Sequence, residues 1–470
     1  MPHQPRRRIG SSRGPFNAFP GACSLGRARA SRPAAGLRHA MARLGELLLR
    51  KKEQLMKAGA FVRAVEECGR RPRAAARVGS RTKWVMRAAV FGGVVGSLAL
   101  AGGDGNSNGV VNTPFVVFGY NDLGMHCMNG DYSDLIILPP FNNLHAQVID
   151  RRENDPHIVR TGVTIDYRIM GNTHSSDKSN FWQFWPPQFG PARPPNIGLT
   201  GNGLRGTMSS TGNGDFAATG IPVVPIDDLG RENPYPLANI VVKQNGQVMA
   251  RTQAVVPVST EMSCYLCHNN PGISTGMDIL LKHDRLHGTN LVNERPVLCA
   301  RCHADNALGL PGDPTLPNLS AAMHTAHAPR MGMIQLPEVC YACHPGVRTQ
   351  CQRDVHFANG VTCTDCHGNM LAVGSPNRRP WLDEPRCGNC HTRQGFEFEE
   401  PGKLFRESRG HRGVQCMTCH NSPHAITPTV TEVDNVQATN IQGHAGVINT
   451  CTVCHSQTPS DPFPHRLTDD

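Results

Sequence analysis

Hydrophobic and polar positions vary along the chain in a way that separates a β-rich stretch from what surrounds it. Between residues 110 and 258, short runs of Val, Ile, Leu and Phe are bounded by Pro, Gly and Asn, a pattern typical of β-strands. The clearest hairpin has strands over 240–243 and 248–256, because Asn245-Gly246 between them supplies the positive φ values of a tight turn. An aromatic and Pro-rich segment over 181–208 is predicted to be irregular and packed around its rings.

The first hundred residues have a different pattern. Residues 1–85 are rich in Arg, Ala and Gly, which predicts disorder or a wrongly assigned extension of the reading frame. A basic segment, an apolar run of about 14 residues and Ala99-Leu100-Ala101 then follow in the order of a secretory signal peptide, which we place at 86–101. The run is too short for a membrane span, and its Gly and Ser residues disfavour a buried helix. We expect translation to start at Met86 or another internal methionine.

From residue 259 onward the sequence Cys-x-x-Cys-His occurs seven times within 192 residues. Composition alone predicts far fewer than one such match in a chain with 18 Cys and 22 His. The cysteines are Cys264, Cys267, Cys299, Cys302, Cys340, Cys343, Cys363, Cys366, Cys387, Cys390, Cys416, Cys419, Cys451 and Cys454. The histidines that close the motifs are His268, His303, His344, His367, His391, His420 and His455.

This spacing predicts covalent attachment of haem. Two thiols separated by two residues can add to the two vinyl groups of one porphyrin, and the adjacent His can reach the iron from the same turn. A zinc ribbon is a poorer interpretation, because it uses paired sets of ligands and would not place a His after every second Cys. A redox dithiol is a poorer one as well, because it would not be repeated seven times. The export signal agrees with this interpretation, since c-type haem is attached after export.

Charge and composition then narrow the function classes. The chain has a formal charge of +10, but residues 1–101 hold 21 Lys and Arg against 4 Asp and Glu, and residues 102–470 hold 26 against 33. The basic excess therefore belongs to the leader, which argues against a nucleic-acid partner. With 39% hydrophobic residues, 48 Gly and 37 Pro, a large core made of protein alone is not expected.

At its seven motifs the chain resembles the multihaem c-type cytochromes, exported electron carriers and reductases of anaerobic and metal-respiring bacteria. The resemblance covers 259–470, where the strings CHPGVRTQC and PWLDEPRCGNCH are similar to those of large exported cytochromes. The segment over 118–149 is similar to N-terminal regions attached to such cytochromes. The resemblance implies seven covalently attached haem c groups and a periplasmic, extracellular or cell-surface location.

Whether the haems carry electrons or bind substrate depends on their sixth ligands, because a free axial position can bind small molecules. Nine histidines outside the motifs are candidates for seven positions, so two are spare. Methionine is an alternative ligand that this surplus makes unnecessary. His283 and His287 are four residues apart on one predicted helix, and His324 and His327 are three apart on a second helix with Ser320 as its N-cap. The two members of each pair are expected to ligate neighbouring haems. The nine candidates are His283, His287, His324, His327, His356, His411, His424, His444 and His465.

These observations predict an α+β protein with a β-rich domain over 102–258 and a seven-haem domain of short helices and loops over 259–470. The leading hypothesis is an exported electron-transfer protein with redox donor and acceptor partners, no membrane span and no catalytic residues of its own. A reductase of a small nitrogen or sulfur oxyanion with one open haem, and a subunit of a cytochrome filament, stay open as alternatives. Cys127 and Cys351 lie outside the motifs and are either a disulfide or two separate thiols.

Overall fold

The computed structural model describes residues 113–153 and 155–465, which belong to a compact unit over Gly102–Asp470. The predicted extension, signal peptide and start site lie outside the described residues. The change of pattern at residue 258 falls within this unit, and the predicted division into two domains stays a prediction. No helix of the described part is both long and apolar enough to cross a membrane.

The strands are concentrated before residue 260. In chain order they are β1 Phe115–Tyr120, β2 His126–Cys127, β3 Leu135–Ile136, β4 Asn142–Asp150, β5 His157–Ile158, β6 Thr164–Ile169, β7 Arg205–Thr207, β8 Ser209–Ser210, β9 Phe216–Ile221, β10 Leu237–Gln244, β11 Gln247–Val255, β12 Val258–Ser259, β13 Val297–Leu298, β14 Arg409–Gly410 and β15 Val414–Gln415. The predicted α+β class is confirmed, since the described residues form both sheets and helices.

The helices are short and lie after residue 260, apart from two 3-10 turns. The α-helices are α1 Thr275–His287, α2 Leu319–His327, α3 Val355–Ala358, α4 Cys363–His367, α5 Met370–Val373, α6 Cys416–His420 and α7 Glu432–Gln442. The 3-10 turns are Phe181–Phe184, Pro187–Phe189, Cys264–Leu266, Leu291–Glu294, Cys299–Arg301, Ala328–Met333, Val339–Ala342, Cys387–Asn389, His411–Gly413 and Cys451–Val453.

Two antiparallel sheets form the β-rich part. One has the order β1-β4-β9-β8 with β5 paired to β4, and the other has the order β11-β10-β6-β7. The predicted hairpin is confirmed: β10 and β11 pair antiparallel, with Asn245 at φ 50° and Gly246 at φ 80°. Along β10 buried positions alternate with partly exposed ones, the period of two that a strand with one covered face requires.

The main hydrophobic core lies between these two sheets, where Leu144, Ile165 and Ile240 are fully buried. The predicted aromatic segment packs against this core around Phe181, whose ring lies 5.3 Å from Trp185. Few hydrophobic side chains after residue 259 are buried, so the helical part has no comparable core of its own.

The helical part is attached to the sheets by short parallel pairs and side-chain contacts. Strand β12 pairs parallel with β2, and β13 pairs parallel with β3 directly before the motif that begins at Cys299. The Gln147 side chain of β4 accepts hydrogen bonds from the backbone N–H of Gln415 (3.0 Å) and from the Thr418 hydroxyl (2.8 Å). The sheets thus fix the positions at which two of the motifs begin.

Candidate functional site

Each Cys-x-x-Cys-His motif folds as a single helical turn. Five motifs contain a 3-10 turn and two are the short helices α4 and α6. In the first motif the backbone N–H of His268 donates to the carbonyl of Cys264 at 2.9 Å, and the same bond recurs in the other four 3-10 motifs. One turn therefore presents two thiols and an imidazole from a few residues, which is the arrangement expected for haem attachment.

Seven histidine pairs are the main feature of this part of the structure. Each pair joins one motif histidine to one histidine outside the motifs, here called the distal histidine, and no histidine occurs in two pairs. The ring centroids are separated by 6.3 Å for His268–His327, 6.4 Å for His303–His283, 6.1 Å for His344–His324, 6.1 Å for His367–His424, 6.0 Å for His391–His356, 5.8 Å for His420–His465 and 5.9 Å for His455–His411. We number these pairs site 1 to site 7 in the order of their motifs.

These separations fit two imidazoles that bind one metal from opposite sides. A metal–imidazole bond is about 2 Å and a ring nitrogen lies about 1 Å from its centroid, so two such rings have centroids about 6 Å apart. Rings in direct contact approach more closely, as His283 and His287 do with centroids 4.7 Å apart and planes tilted by 51°. The chain thus offers seven ligand pairs suited to six-coordinate haem iron.

The hydrogen bonds of the distal histidines are consistent with ligation through Nε2. Metal-bound histidines commonly form a hydrogen bond from their other ring nitrogen to a carbonyl, carboxylate or other polar group that does not itself bind the metal. His324 Nδ1 lies 2.7 Å from the Ser320 carbonyl oxygen, and His327 Nδ1 lies 2.6 Å from that of Met323. The same nitrogen lies near Thr289 Oγ1 in His283, Asp354 Oδ2 in His356, Cys351 Sγ in His424 and the Glu397 carbonyl in His465. In six of the seven sites Nε2 is therefore the nitrogen left for a metal.

Burial keeps several motif histidines neutral, the state in which imidazole binds a metal. Burial, together with neighbouring histidines, lowers the pKa of His344 to about 4, and the pKa of His367 and that of His420 are likewise lowered to about 4. His424 differs: burial acts to lower its pKa, but the negative charge of an adjacent Cys351 thiolate raises the pKa of this histidine to about 9. The Cys351 contact is at Nδ1, so ligation through Nε2 requires only that the second proton of the imidazolium leave Nε2.

Exposed apolar side chains also lie where a prosthetic group is expected. Among large hydrophobic residues of the described ranges, only Leu229 and Val248 are exposed before residue 259. Twelve are exposed after it: Tyr265, Leu266, Ile273, Leu281, Leu286, Leu316, Met333, Val347, Leu371, Leu382, Val430 and Phe463. This concentration of exposed apolar side chains in the part of the chain that carries the motifs is compatible with a covering by attached porphyrins.

A cavity of about 470 Å³ lies beside the fifth motif. Its lining includes His391, Arg393, Phe396 and Phe398. The Arg393 guanidinium lies 4.0 Å from the centroid of the Phe396 ring. Two aromatic rings, a candidate axial ligand and a cationic group are compatible with a haem and its propionates, and Glu397 and Glu399 make the rest of the lining acidic.

Two of the nine candidate histidines are not in the pairs. His287 follows His283 on α1 and its ring packs against that of His283. His444 Nδ1 lies 3.0 Å from the carbonyl oxygen of Ala445. His324 and His327, one helical turn apart on α2, belong to different sites.

The N-cap of α2 is Asn318, whose side chain accepts a hydrogen bond from the Ala321 N–H. The prediction of Ser320 as N-cap was wrong, since Ser320 is already inside the helix.

Outside the motifs, Cys127 and Cys351 are free thiols in the structure rather than a disulfide. Burial, and then the Cys351 thiol, raises the pKa of Cys127 well above its usual range. Cys351 Sγ lies 3.7 Å from Nδ1 of His424. Sequence reasoning missed this contact because the two residues are 73 positions apart and no local pattern joins them.

A further group of potential ligands consists of Glu338, Cys340 and Cys363, whose ligand atoms lie within 4.8 Å of one another. The two cysteines belong to the third and fourth motifs, so their approach is a consequence of how these motifs pack. In the β-rich part, His145 lies between Asp215 (2.8 Å) and Asp122 (3.3 Å). Burial opposes its protonation, but the two carboxylates raise the pKa of His145 to about 9.

Comparison with known proteins yields no relative: no family model, no curated protein and no solved structure matches the chain. The motifs and the geometry of the seven sites are therefore the basis for assigning a function.

Proposed function

We propose that this chain is an exported multihaem c-type cytochrome that transfers electrons between redox partners through seven covalently attached haems. The main support for the proposal is that every motif histidine faces a distal histidine, with ring centroids 5.8–6.4 Å apart. The fourteen motif cysteines would hold the porphyrins by thioether bonds, and the histidine pairs would supply both axial ligands. Bound haem supplies one-electron chemistry at iron.

The finer architecture follows from the same proposal. Residues 259–470 would be a haem-packed domain in which porphyrins, and not hydrophobic side chains, form most of the apolar interior. The exposed apolar side chains after residue 259 support this, since attached haems would cover them. The β-rich part would then be a scaffold that holds the second, sixth and seventh motifs.

The pairing favours electron transfer over a reductase with an open haem. A catalytic haem needs one axial position free for substrate, whereas two histidines on the iron give a six-coordinate, low-spin centre. All seven motif histidines of the described residues have a distal partner. The apolar run before residue 102 supports export and hence a periplasmic or extracellular location with donor and acceptor proteins or an external acceptor.

A ligand-replacement experiment tests the proposal. His411→Ala removes the distal ligand of site 7, and His444→Ala is the matched control, because both histidines precede a motif but only His411 faces a motif histidine. Electron paramagnetic resonance of the secreted ferric protein should show only low-spin haem in the wild type and the control, and one high-spin haem in His411→Ala. A high-spin haem that binds carbon monoxide in the wild type would favour the reductase instead.

A further inference from the structure

We propose that the seven sites form one unbranched series in the order 2–1–3–4–5–6–7, which differs from their order along the chain, with sites 2 and 7 as its ends. The inference rests on the proposed function, because it assumes that each ligand pair holds a haem. It adds the route: electrons would enter and leave at the motifs that begin at Cys299 and Cys451. Each neighbour relation follows from a separate contact.

Helices α1 and α2 place site 1 between sites 2 and 3. Helix α1 carries His283 of site 2, and its Asp278 carboxylate lies 3.7 Å from Nδ1 of His268 of site 1. Helix α2 carries His327 of site 1 and His324 of site 3 at positions three residues apart, which lie side by side on a helix. The first three sites therefore have the spatial order 2–1–3.

Two contacts extend the series from site 3 to site 5. The Cys340 and Cys363 thiols of sites 3 and 4 lie within 4.8 Å of one another. His356 of site 5 lies seven residues before Cys363 of site 4, and its carbonyl accepts from the Val361 N–H at 3.0 Å. This closed turn keeps the distal ligand of site 5 beside the porphyrin anchor of site 4.

The remaining links connect sites 5, 6 and 7. The Phe398 ring lies 6.2 Å from the ring of His391 in site 5 and 5.3 Å from that of His465 in site 6. His411 of site 7 lies five residues before Cys416 of site 6, on a two-stranded turn in which the Cys416 N–H donates to Ser408 at 3.0 Å. None of the contacts in this series joins site 2 or site 7 to more than one neighbour.

The two ends differ in their surroundings. At site 2 the side chain of Leu286 is 63% exposed, and exposed Arg285 and His287 flank it on α1. Site 7 lies against the first sheet, where Arg151 donates to the Val453 carbonyl at 2.8 Å and Val453 packs with Phe118. Site 2 is thus the end with an exposed mixed apolar and basic surface.

Pairs of opened sites test the order. Replacing a distal histidine by alanine makes that haem high-spin, and two high-spin irons broaden each other's resonance only when they are close. We expect the high-spin signal of two double variants to be broader than the sum of the spectra of the corresponding single variants. These are His327→Ala/His324→Ala (sites 1 and 3) and His283→Ala/His327→Ala (sites 2 and 1). The matched pair His283→Ala/His324→Ala (sites 2 and 3) should give the simple sum.

Broadening for sites 2 and 3 without broadening for sites 1 and 3 would show the sequential order and overturn the proposal. The intact mass of each variant distinguishes a failure of the proposed function from a failure of the order. A mass without haem contradicts the proposed function. A mass with seven haems, together with broadening in a pair of sites other than those expected, contradicts only the order. If a variant does not fold, an electron microscopy map of the wild type gives the order of the irons directly, and neighbours 2–3 in that map would refute the series.

Discussion

A buried ion pair next to site 4 gives the sharpest prediction about stability. Arg353 and Asp434 are 0% and 1% exposed, and two guanidinium nitrogens of Arg353 reach the two carboxylate oxygens at 2.6 and 2.8 Å. The Arg353 backbone N–H also donates to the His424 carbonyl at 2.9 Å, so the pair lies beside a distal ligand. Burial acts to lower the pKa of Arg353, but Asp434 raises it, and the guanidinium stays charged.

Asp434→Ala leaves this charge buried without its partner, which typically costs about 3–5 kcal/mol. Arg353→Met/Asp434→Leu removes both charges at similar volume and should recover most of that loss, because replacing a buried pair by apolar residues is often neutral. The assay is denaturant unfolding of the haem-loaded protein followed by far-ultraviolet circular dichroism, and the double variant is compared in a double-mutant cycle with the single variants Arg353→Met and Asp434→Leu.

The exposed pair Arg379–Asp383 is the control, with 71% and 34% of the side chains exposed. Arg379→Met should change the free energy of unfolding far less than Asp434→Ala does, because solvent screens this pair. If Asp434→Ala cost no more than this control, or if the double variant lost the sum of the two single losses, the reasoning from burial would be refuted.

Three further predictions concern the haems, pH and packing. Replacing all motif cysteines by alanine should unfold the chain after residue 259, because haem binding and folding are linked; a native-like circular dichroism spectrum would contradict this. Stability from His145 should be present below pH 6.5 and decline as pH rises through about 9, its pKa in the folded state, and His145→Gln should abolish that decline in thermal unfolding profiles. Gly119→Ala should destabilise by about 1–3 kcal/mol in denaturant titrations, because the added Cβ would lie 2.4 Å from Ile240 Cδ1; an unchanged midpoint would show that the sheets can separate.

Local patterns were sufficient for much of the fold. The hairpin of β10 and β11 was predictable because Asn245-Gly246 sets its turn and alternation sets its faces. Helix α1 was predictable from its sequence, whereas the start of α2 was misplaced by two residues because both Asn318 and Ser320 are good N-caps.

The sites were predictable only in part. The seven motifs are local and were found from spacing, but the distal partners depend on tertiary packing. His356 lies seven residues before Cys363, yet it faces His391 of site 5 and not His367 of the motif that follows it. His444 has the same offset from Cys451 and faces no motif histidine in the described part of the chain. Sequence offset therefore does not identify a ligand pair.

The most direct test of the central claim is the intact mass of the secreted protein. Thioether bonds survive denaturation, so the account predicts a mass equal to the processed polypeptide plus seven haem groups. Its reduced absorption spectrum should be that of low-spin c-type haem. A product at the mass of the polypeptide alone would contradict the account.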